Sequence, residues 1–383
     1  MSWRLLSLFQ PRKLSFGAGA LGVFADDFLA TGYSRLIVLT APPIVPLIDA
    51  TLGKMREKGV HVTLIDSVTR EPTVSDLEKL LALAAEARGD SVVGIGGGSV
   101  LDAAKLVAAT LRNPQPVSEL FGIGKLKSRS AYLACIPTTS GTGSEASPNA
   151  ILLDEADNMK KGVVSPLLVP DAAYVDPLLT LGLPPKVTAE TGLDALCHCI
   201  EAYTNKFAHP LVDTYALEGI RLLVRNLPVA IADGKNIEAR TALALGSLYG
   251  GLCLGPVNTS AVHALSYPLG GEFHIAHGLA NAVLLPEVLA FNMDASAKRH
   301  AEVAVALGVE RSGSDLEIAK KGVELIRGLV RSCGIPSKLS DLGVDISMLD
   351  KLSEMAMGVQ RLLKNNPKEL AIEDVKSIYR KMF

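Results

Sequence analysis

Ser91-Val92-Val93-Gly94-Ile95-Gly96-Gly97-Gly98-Ser99-Val100-Leu101-Asp102 is the stretch on which the reading of the fold turns. Ser91–Ile95 is a short β-branched run without polar alternation, the mark of a strand buried on both faces. It runs into three glycines and then into a helix predicted over Val100–Leu111. Glycines let a backbone approach an anion closely. The free N–H groups and the dipole at a helix start favour phosphate. The spacing is neither the Rossmann G-x-G-x-x-G nor a P-loop, since no G-K-[ST] follows. Ser99 is expected to cap the helix, with Asp102 placed as in a capping box. A tight βα turn without a ligand is the plainer alternative.

The same signals recur on either side. Arg35–Thr40, Val60–Asp66 and Ala131–Pro137 read as further strands. Thr73–Arg88 reads as a helix, with Leu77, Leu80, Leu81 and Ala84 at helical spacing. Alternating strands and helices predict a parallel, doubly wound sheet. The strand ending at Pro137 is followed by Thr138-Thr139-Ser140-Gly141-Thr142-Gly143-Ser144-Glu145. Ligands of open α/β sheets sit at the carboxyl ends of strands. Two such loops after two strands are best explained by one dinucleotide lying across the sheet edge.

Beyond Pro184-Pro185 the apolar pattern turns helical. Helices are expected over Val187–Ala202, Val212–Leu227, Glu238–Leu252, Leu279–Phe291, Ala297–Leu307, Leu316–Ser332 and Ile372–Lys381. The expected architecture is an α/β dinucleotide-binding domain at 1–184 and an all-α metal- and substrate-binding domain at 185–383. The totals agree: 383 residues suit two domains, and 48% hydrophobic residues can bury a core. A net charge of -2 argues against nucleic acid as a partner. The apolar runs fall far below the roughly 18 residues of a membrane span. In the N-terminal MSWRLLSLFQ, Leu5–Phe9 is too short for a signal core. Five cysteines, an odd number thinly spread, suit a reducing compartment. A cytoplasmic protein is expected.

Thr188–Asn205 is an amphipathic helix in which Asp194 and His198 stand at i and i+4, on one face. A carboxylate and an imidazole there can offer ligands to one divalent ion. Glu201 lies on nearly the same face and Cys197 borders it, so both remain candidates, whereas Cys199 points elsewhere. A buried His bonded to an Asp is the bland alternative. Of the chain's seven histidines, His263, His274 and His277 fall close together, and His263 and His277 flank an expected glycine turn at Gly270-Gly271. One Asp plus three His suits Fe(II), Zn(II), Mn(II) or Ni(II), with room for a substrate oxygen.

With these residues in place the chain resembles the iron-containing (group III) alcohol dehydrogenases, related to glycerol dehydrogenase and dehydroquinate synthase. The likeness runs from Phe16-Gly17-Ala18-Gly19 through Gly96–Asp102, Pro137–Glu145, Thr191–Ala202 and His263–Gly278 to Asn366-Pro367. The resemblance implies one Fe(II) or Zn(II) per subunit, held by Asp194, His198, His263 and His277, with Glu201 and Cys197 in supporting or packing roles. It implies NAD or NADP on Gly97, Gly98, Ser99 and Asp102 at the pyrophosphate and on Thr138, Thr139, Thr142 and Ser144 along a cleft between the domains. Asn149 and Lys160 match cofactor-side positions. The implied reaction is hydride transfer between a small alcohol and its carbonyl product, in a homodimer or larger homo-oligomer. An NAD- and metal-using lyase of the dehydroquinate synthase type is the alternative, but basic side chains near the metal stretches are few, Lys186 being the nearest.

Three departures matter. Ala41 stands where many relatives carry an Asp that rejects NADP. Glu71 opens Glu71-Pro72-Thr73 where Asn is common, which pulls the other way. Tyr267 replaces a histidine usual near the nicotinamide; His274 is a candidate to take part of its role in moving the proton, with a surface or structural histidine as the alternative.

Overall fold

The computed structural model describes residues 4–113 and 115–383. Met1–Trp3, the start of the N-terminal stretch considered above, therefore lie outside it. The chain forms two compact units. One comprises Leu8–Thr139 and Gly143–Gly182. The other comprises Ser140–Thr142 and Leu183–Phe383, together with the N-terminal stretch up to Ser7.

The first unit holds strands β1 (Lys13–Phe16), β2 (Arg35–Leu39), β3 (His61–Ile65), β4 (Ser91–Gly96), β5 (Gly122–Ile123), β6 (Tyr132–Pro137), β7 (Asn149–Asp154), β8 (Met159–Val164) and β9 (Ala172–Val175). Its helices are α1 (Ala20–Ala30), α2 (Val45–Glu57), α3 (Val74–Glu86) and α4 (Gly98–Thr110). Six strands form a parallel sheet in the order β1-β9-β6-β4-β2-β3, and β5-β8-β7 make a small second sheet around the antiparallel β7–β8 hairpin. The four predicted strands are present as β2, β3, β4 and β6, while β1, β5, β9 and the hairpin are additions. Met159–Val164 (MKKGVV) opens with two lysines and carries no strand pattern.

Why the sheet is wound on both faces is visible in β2. Leu36 and Val38 join Phe24, Phe28, Ile48 and Leu52 of α1 and α2 in one core. Ile37 and Leu39 join Leu77, Leu80, Leu101 and Ala104 of α3 and α4 in the other. Successive side chains point to opposite faces, so a strand covered on both sides must be apolar at every position. The helix after β2 and the helix after β4 lie on opposite faces, although β2 and β4 are neighbours. That is a topological switch point, where a crevice opens at the strands' carboxyl ends. It brings Thr40-Ala41 and Gly96-Gly97 to one edge.

The second unit is helical: α5 (Pro185–Thr204), α6 (Pro210–Ala232), α7 (Ile237–Leu254), α8 (Ala261–Phe273), α9 (His277–Asn292), α10 (Ala297–Ala306), α11 (Asp315–Ser332), α12 (Leu349–Gly358), α13 (Gln360–Leu363) and α14 (Ile372–Arg380). Helix α5 packs against α6, α7 and α9, and is buried over most of its length. One expectation fails here. Gly270-Gly271 is not a turn but lies inside α8, buried. The helix ends later, at His274, which takes the left-handed conformation at φ 54°. No helix among the described residues is long and apolar enough to cross a membrane.

Candidate metal centre and dinucleotide edge

Helix α5 presents Asp194 and His198 from adjacent turns of its buried face. His263 sits in the first turn of α8, and His277 opens α9. Three helices thus converge, and Asp194 Oδ1 lies 3.6 Å from His263 Nε2, 3.7 Å from His277 Nε2 and 3.9 Å from His198 Nε2. One ligand atom from each of the four residues falls within 4.8 Å of all the others. His277, with a side chain 30% exposed, marks the open side, whereas the other three are buried.

The outer nitrogens of two rings are already committed. His198 Nδ1 is 3.3 Å from the Gly141 carbonyl oxygen. His263 Nδ1 meets the Glu201 carboxylate in a short contact. Glu201 Oε1 also accepts from the backbone N–H of Ser260 (3.0 Å) and Val262 (2.7 Å) and from the Ser260 hydroxyl (2.9 Å). It thereby satisfies N–H groups that the start of α8 leaves without helical partners. Such partners fix the ring and its tautomer and leave Nε2 to face an ion.

Charge follows from this packing. Burial disfavours the Asp194 anion, but the imidazoles of His198, His277 and His263 outweigh it and hold the carboxyl well below its ordinary range. Burial pulls the His198 imidazole down. Burial opposes the His263 cation too, yet Glu201 and Asp194 push it up to about 9. One buried carboxylate facing three imidazole nitrogens is a donor set that fits a divalent cation. Cys197 is packed in the apolar core, and the Cys199 thiol faces the Gly246 carbonyl oxygen at 3.8 Å, away from this group.

At the sheet edge, α4 begins at Gly98 with Gly97 as its N-cap and no side-chain cap. This corrects the expected Ser99–Asp102 capping box. The helix starts earlier, so Asp102 stands in its second turn and cannot reach back. Its carboxylate instead accepts from the Ser144 hydroxyl and from the Ile151 N–H (2.9 Å), bracing the second loop against α4. A Cβ at Gly96 would lie 2.6 Å from Val100 Cγ2, so close packing of α4 on β4 demands that glycine. Gly97 is different: a Cβ there would meet only Thr139, at an ordinary 3.4 Å. Neither packing nor backbone strain requires it, which leaves a bare backbone at a helix start, as an anion site needs.

Thr138 is buried, and its N–H bonds the Gly96 carbonyl at 2.9 Å. Thr142 belongs to the helical unit and Ser144 to the sheet unit. Asn149 Oδ1 is buried with no hydrogen-bond partner, an acceptor open to a donor such as a carboxamide. Lys160 is buried, and its Nζ lies 2.7 Å from Glu71 Oε2. The carboxylate expected to repel a 2′-phosphate is thus neutralised within the chain. His274 is exposed at the end of α8, and Tyr267 packs with its ring 6.2 Å from that of His277. The Gly141 carbonyl and Asn281 went unnoticed in the sequence, although Asn281 stands four residues after His277 on α9, the same spacing that marked Asp194 and His198.

A doubly wound sheet with an open glycine turn, in one chain with a helical unit gathering one Asp and three His, defines a metal-dependent dinucleotide oxidoreductase. The chain belongs to the iron-containing alcohol dehydrogenase family. The model of that family matches residues 11–177, and the model of its C-terminal part matches 188–383. Long-chain-alcohol dehydrogenase 1 of Geobacillus thermodenitrificans is 39% identical, over 97% of this chain and 95% of that protein. The 1,3-propanediol dehydrogenase of Klebsiella pneumoniae is 33% identical over the full length of both. Among solved structures, a 1,3-propanediol oxidoreductase superposes with a TM-score of 0.95 at 33% identity, covering 99% of this chain and 100% of that one. Sulfoacetaldehyde reductase of Bifidobacterium kashiwanohense, solved with NAD+, gives 0.88 at 28% identity, covering 100% and 99%. The chain is an alcohol dehydrogenase of this family.

Proposed function

We propose that the protein interconverts a small alcohol and its aldehyde or ketone with NAD or NADP, using one Fe(II) or Zn(II) per subunit. The observation that carries this reading is the convergence of Asp194, His198, His263 and His277 on one point. When bound, the ion supplies a Lewis acid for the substrate oxygen, and the dinucleotide carries the hydride. Asp194 contributes the single negative charge. Gly141 and Glu201 keep the His198 and His263 rings turned inward, and the exposed side of His277 leaves a way in for substrate. His274, at the surface, passes the alcohol proton to water.

Residues 1–184 hold the dinucleotide and residues 185–383 the metal and substrate. Gly97, Gly98 and Ser99 take the pyrophosphate at the start of α4. Asp102 and Ser144 shape the adjoining loop, Thr138, Thr139 and Thr142 line the cofactor, and Asn149 and Lys160 complete that side. With Ala41 at the switch point and Glu71 tied to Lys160, NADP is accepted as well as NAD. A lyase chemistry is disfavoured by Lys186, whose Nζ lies 3.9 Å from Glu190 on its own helix and whose side chain is mostly exposed.

The exposed apolar side chains Leu14 and Phe16 on the edge strand β1 favour a homodimer or larger assembly. Five free thiols favour the reducing cytoplasm. The test is a screen of alcohols and aldehydes against both dinucleotides, on protein loaded separately with Fe(II) and Zn(II). Turnover of NAD(P)H with a simple aldehyde supports the reading, and its absence across the screen contradicts it.

A further inference from the structure

Asn281, on α9, is fully buried, and its amide nitrogen touches the metal cage at three points. It lies 2.7 Å from Asp194 Oδ1, 3.1 Å from His263 Nε2 and 3.2 Å from His277 Nε2. The other end of the same amide, Oδ1, is buried with no hydrogen-bond partner. A buried amide ordinarily satisfies both ends. Here the oxygen goes without, so the contacts of the nitrogen decide how the group points. Turned about, the amide would set its oxygen against a carboxylate oxygen and two imidazole nitrogens. The Asp194 oxygen that receives the N–H is also the one that faces all three imidazoles.

We propose that Asn281 is a positioning residue of the metal centre, its side-chain N–H orienting the Asp194 carboxylate so that Oδ1 faces the three histidines. The proposal rests on the metal-dependent reading of this site and adds a residue to it. An ion held here would use the Nε2 lone pairs of His263 and His277, which would leave Asn281 its bond to Asp194. Asn281 thus acts through Asp194 and need not touch the substrate.

The test compares wild type with N281L on the full-length chain. Zinc affinity is read by competition with a chromogenic chelator, and ligand geometry by the visible spectrum of the Co(II)-substituted protein. N281L is expected to bind zinc about 10–100-fold more weakly, as for other residues that support metal ligands, and to shift the Co(II) bands. N281A, which removes the amide without adding bulk, serves if the leucine variant does not fold. L284A, at a fully buried apolar position on the same helix, is the control and should unfold at lower temperature with unchanged zinc affinity. Wild-type zinc affinity and an unchanged Co(II) spectrum in the Asn281 variants overturn the proposal, as does an equal loss in L284A. Wild-type protein that binds neither ion is a separate failure, one that overturns the metal reading itself.

Discussion

The Glu201 carboxylate accepts from His263 Nδ1 with one oxygen and from the Val262 backbone N–H with the other. One buried side chain therefore both starts helix α8 and aims the imidazole that α8 delivers. Replacing Glu201 by Gln keeps the shape but places donors against donors. Unfolding stability is expected to fall by about 2–4 kcal/mol, the scale for breaking a buried charged network. Metal affinity is expected to fall about 10–100-fold. Denaturant unfolding and chelator competition measure the two effects separately.

A second close approach sets where α9 begins. A Cβ at Gly278 would collide with the Glu190 backbone carbonyl of α5. Backbone cannot give way as a flexible side chain can. Gly278→Ala should therefore push the start of α9, and His277 with it, away from α5. The expected result is a loss of at least about 1–3 kcal/mol in stability together with lower metal content by elemental analysis.

At the end of the loop that follows β6, burial pushes the Glu145 carboxyl up to about 7, despite a backbone bond and the nearby Lys105 ammonium, which pull it down. The folded chain thus holds this proton more tightly than the unfolded chain. The contribution of Glu145 is fully favourable below the unfolded value of 4.5 and falls as pH rises towards about 7. Glu145→Gln removes that dependence. Its stability relative to wild type should rise across this window, by up to on the order of 3 kcal/mol at about 1.4 kcal/mol per pKa unit. A difference that stays flat with pH, followed by urea unfolding, counts against this assignment.

For the proton, the prediction falls on His274. If this exposed residue at the end of α8 relays it, His274→Ala lowers kcat and changes the pH–rate profile from that of wild type. A profile that matches wild type rejects the role.

How far the sequence carries is clearest residue by residue. The βα half is legible because strands covered on both faces must be apolar throughout, as Leu36 to Leu39 are, and that pattern survives without any knowledge of partners. The β7–β8 hairpin lacks such a pattern, since Met159–Val164 mixes lysines with apolar residues. Helix α8 is obscured by Gly270-Gly271, which read as a turn but are buried inside the helix. In the site, Asp194 and His198 share one helix, so spacing alone pairs them. His263 and His277 join them from two other helices, a meeting that only tertiary packing or family likeness can announce. The same limit hid the Gly141 carbonyl, which spacing cannot bring to His198. Asp102 shows how a small boundary shift changes a role: with α4 beginning at Gly98 it braces a loop and caps nothing.

Asp194, His198, His263 and His277 are expected to hold one catalytic divalent ion. The direct measurement is alcohol-dependent NAD(P)H formation by wild-type and Asp194→Ala protein, each stripped with chelator and reloaded with Fe(II) or Zn(II), with metal counted per chain. Stripped wild type should show near-zero turnover that recovers as the count approaches one ion per chain, and Asp194→Ala should neither bind nor recover. Full turnover by the stripped protein, or by Asp194→Ala, would contradict it.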